Sequence, residues 1–166
     1  MKRALASLRI AFAILILSTA AALAQTAPAP SITIKTLSGD TRHLTSSDFK
    51  NRTHVKVTDH DGKSHDFEGV ALSEVLADNG TPMGKDLRGK ELADYVLLEA
   101  SVGYRVIFAL ADIDPDLGGT QAIIADKVDG APLSAHDGPY RLVVPADKRP
   151  ARWIRMLTTV TIARPQ

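Results

Sequence analysis

From Ser31 onward the sequence is a succession of short β-type runs, each closed by a turn signal. Ser31–Thr36 alternates apolar and polar residues as a half-buried strand does, and Gly39-Asp40 turns the chain. His54–Thr58 and Ser64–Phe67 read as hairpin partners around Asp61-Gly62, since a tight turn needs residues that accept a left-handed backbone. Tyr95–Ala100 and Tyr104–Leu110 form a second such pair around Ser101-Val102-Gly103. Gln121–Asp126 is followed by the turn Asp129-Gly130-Ala131-Pro132, Tyr140–Val144 is apolar and β-branched, and Val160–Ile162 is a last strand. Helical signals are few. Thr45-Ser46-Ser47-Asp48 has capping-box spacing and predicts a short helix that carries Phe49 inward. Leu72, Val75 and Leu76 fall at i, i+3, i+4, with Ser73 placed to cap and Gly80 to terminate. Trp153–Leu157 is ambiguous and Pro145–Pro150 is irregular. Many short strands with two or three short helices predict an α+β domain with a mixed sheet.

The N-terminus is of another kind. Lys2, Arg3 and Arg9 precede the apolar core Ile10–Leu17, and Ala22-Leu23-Ala24 supplies the small residues of a signal peptidase site before Gln25. A membrane-spanning helix needs ~20 apolar residues, a length reached here only by counting the Ser18–Ala24 tail. Residues 1–24 are therefore expected to be a cleaved signal peptide, 25–30 a Pro/Ala linker and 31–166 one domain. The expected destination is periplasmic or secreted, with no membrane association after cleavage.

Without the leader the chain holds 17 basic and 19 acidic residues, so the overall basicity gives no support to nucleic-acid binding. No cysteine occurs, which excludes disulfides and thiolate chemistry alike. Charge is unevenly placed, with a net +5 over 138–166 and −7 over 25–137. Either the two parts neutralise each other on folding or the basic part holds an anion.

The polar stretch Asp59–Asp66 carries two His and three Asp, types that bind zinc or harder ions, but the Asp-Gly hairpin tip accounts for the same residues. Its spacing also departs from the calcium-loop template. Ser101 lacks the first Gly of a nucleophile elbow, because Glu99 stands there. Gly118-Gly119 has no phosphate-loop context. His136-Asp137 reads either as an acid/base pair or as an exposed loop, and Trp153 as a core or edge anchor. No catalytic constellation emerges.

The order of these pieces resembles the molybdopterin-binding domain of the sulfite oxidase family. Ala125–Leu133, with Asp129-Gly130-Ala131-Pro132-Leu133, is similar to the family's N-G-x-P-L segment. Gly138-Pro139-Tyr140-Arg141-Leu142-Val143-Val144-Pro145 is very like its G-G-P-L-R-L-V-V-P strand, the most specific match. Arg152-Trp153-Ile154-Arg155 sits where the family has V-K-W-L, Gly69–Leu76 resembles its G-V-x-L-x-D-L-L helix, and Tyr104–Phe108 its Y-x-x-S-I-P strand. The resemblance runs from about Ile32 to Ile162 and implies an oxidoreductase fold with molybdopterin as a possible cofactor.

Two departures qualify what it implies. The family's enzymes ligate molybdenum with a Cys thiolate from the interval matching His54–Glu68, and here that interval has none. A soft thiolate cannot be replaced by Asp or His without changing the metal's electronics. The Gly-rich cofactor loop is also altered, to Ala146-Asp147-Lys148-Arg149-Pro150-Ala151. The expectation is a non-catalytic binding module, requiring no cofactor, for a pterin, another small anionic ligand or a periplasmic protein partner. The alternatives are an oxidoreductase of the sulfite oxidase type with a non-Cys metal ligand, and a structural accessory subunit. For the binding module, the basic C-terminal part and the Gly138–Pro145 strand nominate Arg141, Lys148 and Arg152 as an anion site, with Tyr104 and Arg105 beside them.

Overall fold

The computed structural model describes residues 29–58 and 62–165. The alternation of Ile32-Thr33-Ile34-Lys35 makes β1 (Ile32–Lys35) a strand with both isoleucines fully buried, and β2 (Thr41–Leu44) folds back on it around Gly39. The second hairpin is β3 (Thr53–Thr58) with β4 (Ser64–Ala71), and β4 runs directly into α1 (Leu72–Asp78). Next come β5 (Tyr95–Ala100), β6 (Arg105–Ala109) and the single-turn α2 (Leu110–Ile113). The chain continues through β7 (Ile123–Val128), the two-residue β8 (Ala131–Pro132) and β9 (Arg141–Val143), and ends on β10 (Leu157–Ala163).

Two five-stranded sheets result. The first has the order β2-β1-β10-β5-β6, antiparallel except for the parallel β1–β10 pair. The second is antiparallel, β3-β4-β7-β8, with β9 also paired to β7. The α+β mixed-sheet expectation is met. The main core lies between the sheets, joining Ile32, Ile34, Val96, Leu98, Val160 and Ile162 to Val70, Ile124 and Leu142. A register shift between Leu157 and Thr159 lets Leu157 and Val160 enter the same core although three positions apart, as a β-bulge does.

The second sheet is apolar on its other face as well. Val55, Phe67, Ile123, Ala125 and Val143 form a smaller core there, covered by Trp153 and Leu133. Strands buried on both faces read as continuous apolar runs, as Ala122-Ile123-Ile124-Ala125 does. Gly69 permits the β4–β7 approach, because a Cβ on it would lie 2.0 Å from the Ile124 carbonyl oxygen.

Local readings were corrected in places. The Thr45–Asp48 pattern forms a capping box, but the helix is one 3-10 turn, Ser46–Asp48. Phe49 does turn inward, its ring centroid 5.8 Å from that of Tyr140. Ser73 lies inside α1 rather than capping it; Ala71 holds the cap position and the Leu72 N–H bonds the Ala122 carbonyl at 2.8 Å. Strand β2 had no signal of its own. Residues 1–28 and Asp59, His60 and Asp61 lie outside the described residues, and with them the leader, most of the linker and the hairpin tip.

Candidate functional site

The smaller core positions the site. Strand alternation puts Leu142 into the main core and Arg141 and Val143 on the opposite side. Past Val144 the chain loops out and returns through a 3-10 turn, Pro150–Arg152, that delivers Trp153 over this face. The Trp153 indole N–H donates to the Val144 carbonyl at 2.9 Å, and its ring meets Phe67 edge-on at 6.2 Å. The Arg141 guanidinium lies against both rings, 5.4 Å from the Phe67 centroid and 5.6 Å from that of Trp153. Only 13% of this side chain is exposed.

Its electrostatic support is thin. Arg141 Nη1 donates to Asp137 Oδ1 at 3.3 Å, and Arg155 Nε approaches the same oxygen at 3.0 Å. Arg155 Nη1 also donates to His136 Nε2 at 2.7 Å. The Ser134 hydroxyl holds Asp137 Oδ2 at 3.1 Å, and the Met156 N–H bonds the Asp137 carbonyl at 2.9 Å. One carboxylate thus serves two guanidiniums, and Arg141 Nε is buried with no hydrogen-bond partner among the described residues. Burial pushes the Arg141 guanidinium below its ordinary value; Asp137 opposes that shift and the nearby Arg155 charge adds to it.

A cleft of about 530 Å³ opens over this face, lined by Val57, His65, Phe67, Asp147 and Lys148 among others. A second, of about 410 Å³, is lined by Val102, Tyr104, His136, Ala151 and Met156. Arg141, Pro150, Trp153 and Arg155 line both, so the two are arms of one groove with the guanidiniums at the junction. Both volumes fall in the range of small-molecule sites.

Of the nominated residues, Arg141 occupies the junction and exposed Lys148 the first arm, where it makes no ion pair with another described residue. Tyr104 walls the second arm, its hydroxyl donating to the Ala151 carbonyl at 2.7 Å. Arg152 and Arg105 line neither. Arg152 is bonded through Nε to Asp147 Oδ2 at 3.0 Å and through Nη2 to Oδ1, and its guanidinium stacks 4.3 Å from the Phe108 centroid. The Asp147 hydrogen bonds raise it above the ordinary arginine value. Arg105 stands exposed on β6, 3.7 Å from Glu99. The sequence reading did not nominate Arg155 or Phe67, and it weighed His65 only as a metal ligand or hairpin-tip residue; His65 is bonded through Nδ1 to Asp129 at 2.8 Å. Ser101 sits in an exposed turn.

Among the described residues no group of three or more His, Cys, Asp or Glu is placed to hold a metal ion. With no cysteine in the chain, molybdenum has no thiolate to receive it. The anionic end of a molybdopterin fares better, since a buried, underbonded guanidinium, a second arginine and a lysine face the groove.

Comparisons with known proteins agree with this architecture. A family model for the oxidoreductase molybdopterin binding domain matches residues 19–166. Among solved structures the chain is similar to the sulfane dehydrogenase SoxCD from Paracoccus pantotrophus, with a TM-score of 0.60 and 18% identity. That likeness, one of fold, covers 80% of this chain and 38% of the other, so this chain spans well under half of that length. A search of curated proteins gives no match.

Proposed function

The chain belongs to the oxidoreductase molybdopterin binding domain family, as its resemblance to the sulfite oxidase family implied, and on that premise we propose that it is an exported, non-catalytic module that binds an anionic ligand in the groove around Arg141. A phosphorylated pterin is the first candidate. The observation that carries the reading is the charge imbalance at the junction, where among the described residues two guanidiniums share Asp137 and Arg141 Nε has no partner. A phosphate in the groove supplies the missing charge, and guanidinium–phosphate hydrogen bonds are among the strong ones.

Arg141 and Arg155 would hold the phosphate, Lys148 would add charge from the rim, and Trp153 with Phe67 would flank a ring. Molybdenum, where bound, supplies two-electron redox chemistry. No residue of this chain offers the thiolate that tunes it, so binding is favoured over turnover. The rival reading is an oxidoreductase holding molybdenum through the cofactor's sulfurs and a non-Cys ligand. It requires stoichiometric molybdenum and sulfite oxidation in protein purified from its own host.

Titrating a phosphorylated pterin into wild type and Arg141→Ala tests the binding reading. A desolvated contact is worth on the order of 2 kcal/mol, about thirtyfold in affinity. Equal affinities in a folded variant would remove Arg141 from the site. Export is tested by intact mass of periplasmic protein, expected to begin at Gln25; retention of Met1–Ala24 would overturn it.

A further inference from the structure

The two arms of the groove differ in chemistry. The first carries His65, Asp147, Lys148 and Thr58, enough polar groups to meet the ring nitrogens and amino groups of a pterin. The second is walled by Val102, Tyr104, Ala151, Trp153 and Met156, with charge only at its inner end. A heteroaromatic ring rich in donors and acceptors would find few partners there, and an unpartnered polar group taken out of water costs free energy. An unsubstituted ring loses nothing.

Trp153 covers the smaller core, but the fold does not account for Val102, Tyr104 and Met156. Val102 occupies the tip of the β5–β6 turn, where polar residues are the rule, and stands 70% exposed. Tyr104 is 50% exposed, yet its hydroxyl is fixed on Ala151. Met156 has a φ of +49°, a left-handed backbone costly for a side chain of its size. Its N–H bonds Asp137 and its carbonyl accepts from Ser101 N–H at 3.0 Å. These two bonds tie the hairpin tip and the Asp137 loop to the start of β10, so the walls are set before anything binds.

The inner end fixes the sign of the ligand. Arg155 uses Nε on Asp137 and Nη1 on His136, while its Nη2 makes no hydrogen bond to another described residue. Its side chain is 48% exposed. Among the described residues one carboxylate stands against the two guanidiniums, leaving one positive charge uncompensated at the end of an apolar crevice.

We infer that the second arm is a binding subsite for an aryl carboxylate, its carboxylate on Arg155 and its ring between Val102, Tyr104 and Met156. The inference rests on the anion-site reading, because both use the same guanidiniums. It adds a second class of ligand beside the phosphorylated one, and no bond-making step is implied.

The test titrates benzoate, acetate, benzamide and inorganic phosphate into the full mature protein, followed by NMR. Benzoate is expected to bind at least tenfold more tightly than acetate or benzamide, with contacts from its ring protons to the Val102 and Met156 methyls. Val102→Ser, a change at an exposed turn, is expected to weaken benzoate at least threefold and leave phosphate binding unchanged. Benzoate no better than acetate would remove the apolar subsite, and benzamide equal to benzoate would remove the carboxylate anchor. Ring contacts to Val57 and Phe67 instead would place the ligand in the first arm and overturn the assignment. If phosphate binds through any of these failures, the anion site stands alone; if phosphate also fails to bind, both readings fall.

Discussion

Replacing Arg141 by methionine separates a binding arginine from a structural one. A structural guanidinium stabilises the fold and its loss is costly, whereas one kept for a ligand is a burden in the empty protein. The Arg141 contacts allow the balance to be drawn. Its two aromatic contacts are worth about 0.5–1 kcal/mol each, and a methionine in their place recovers about 0.3–1.5 kcal/mol per sulfur–aromatic contact. The Asp137 bond is long, at 3.3 Å, and Asp137 keeps Arg155 and Ser134, so losing Arg141 strands no carboxylate. Removing the unpartnered, buried Nε recovers about 1–3 kcal/mol. With the Asp137 hydrogen bond, charged but long, set at about 1.5 kcal/mol, central values leave Arg141→Met between neutral and about 1 kcal/mol more stable, as when apolar residues replace buried ion pairs. For a domain of this size that is a rise in Tm of up to about 4 °C. Thermal unfolding by circular dichroism, with phosphate titration on the same samples, reads both consequences. A destabilisation above about 1 kcal/mol would refute the reasoning and return Arg141 to the fold.

Gly69→Ala is expected to abolish folding or cost several kcal/mol, because its Cβ would lie 2.0 Å from a backbone oxygen of β7 that cannot move aside; soluble expression and unfolding midpoints decide this. Arg164→Ala should lower the urea unfolding midpoint, since it takes from the fully buried Asp94 the two hydrogen bonds that Arg164 makes at 2.6 and 2.7 Å. The double change Arg164→Ala with Asp94→Asn should recover much of that loss. Asp129 is held below the ordinary carboxylate value, chiefly by the Asp66 N–H and then by His65. An acid with a lowered folded value contributes stability above its unfolded value of ~3.9 and loses it as pH falls through the folded one. The Tm gap between wild type and Asp129→Asn should therefore be open at pH 6 and close below about pH 4.

The fold was more legible than the site, for a physical reason. Hairpins announce themselves locally, through residues such as Gly103 and Asp129-Gly130 that take positive φ between alternating runs. Strand β2 was missed because three of its four residues are exposed, so Thr41-Arg42-His43-Leu44 has no apolar alternation and owes its conformation to β1. Arg141 was found because it sits in a regular strand inside a specific motif. Arg152 and Arg155 could not be told apart, since both lie in an irregular stretch where no period assigns a side chain to a face. The 3-10 turn at Pro150–Arg152 sends Arg152 to Asp147 and Phe108, and the left-handed Met156 helps turn Arg155 toward Asp137. Phe67 and His65 lie more than seventy residues before Arg141, and only the β4–β7–β9 pairing brings them to it.

The split between an acidic N-terminal and a basic C-terminal part resolves into two different fates for its cations. Arg164 is neutralised by Asp94 and Glu91 of the acidic part, as simple compensation would have it. Arg152 takes Asp147 from its own part, Arg141 and Arg155 divide Asp137, and among the described residues Lys148 and Arg149 make no ion pair. The surplus therefore gathers between Arg141 and Arg155, around the groove rather than over the whole surface. A positive field confined to a partly desolvated cleft attracts anions more strongly than the same charges spread in water, and salt weakens that attraction. If the groove serves binding alone, as proposed, a ligand in it is held by charge and ring contact, interactions that form and break without chemistry. On the proposed reading the chain is suited to taking up and releasing its ligand, and affinity for phosphate should fall steadily as ionic strength rises; an affinity unchanged from low salt to about 0.5 M would mean that the gathered charge is not what binds.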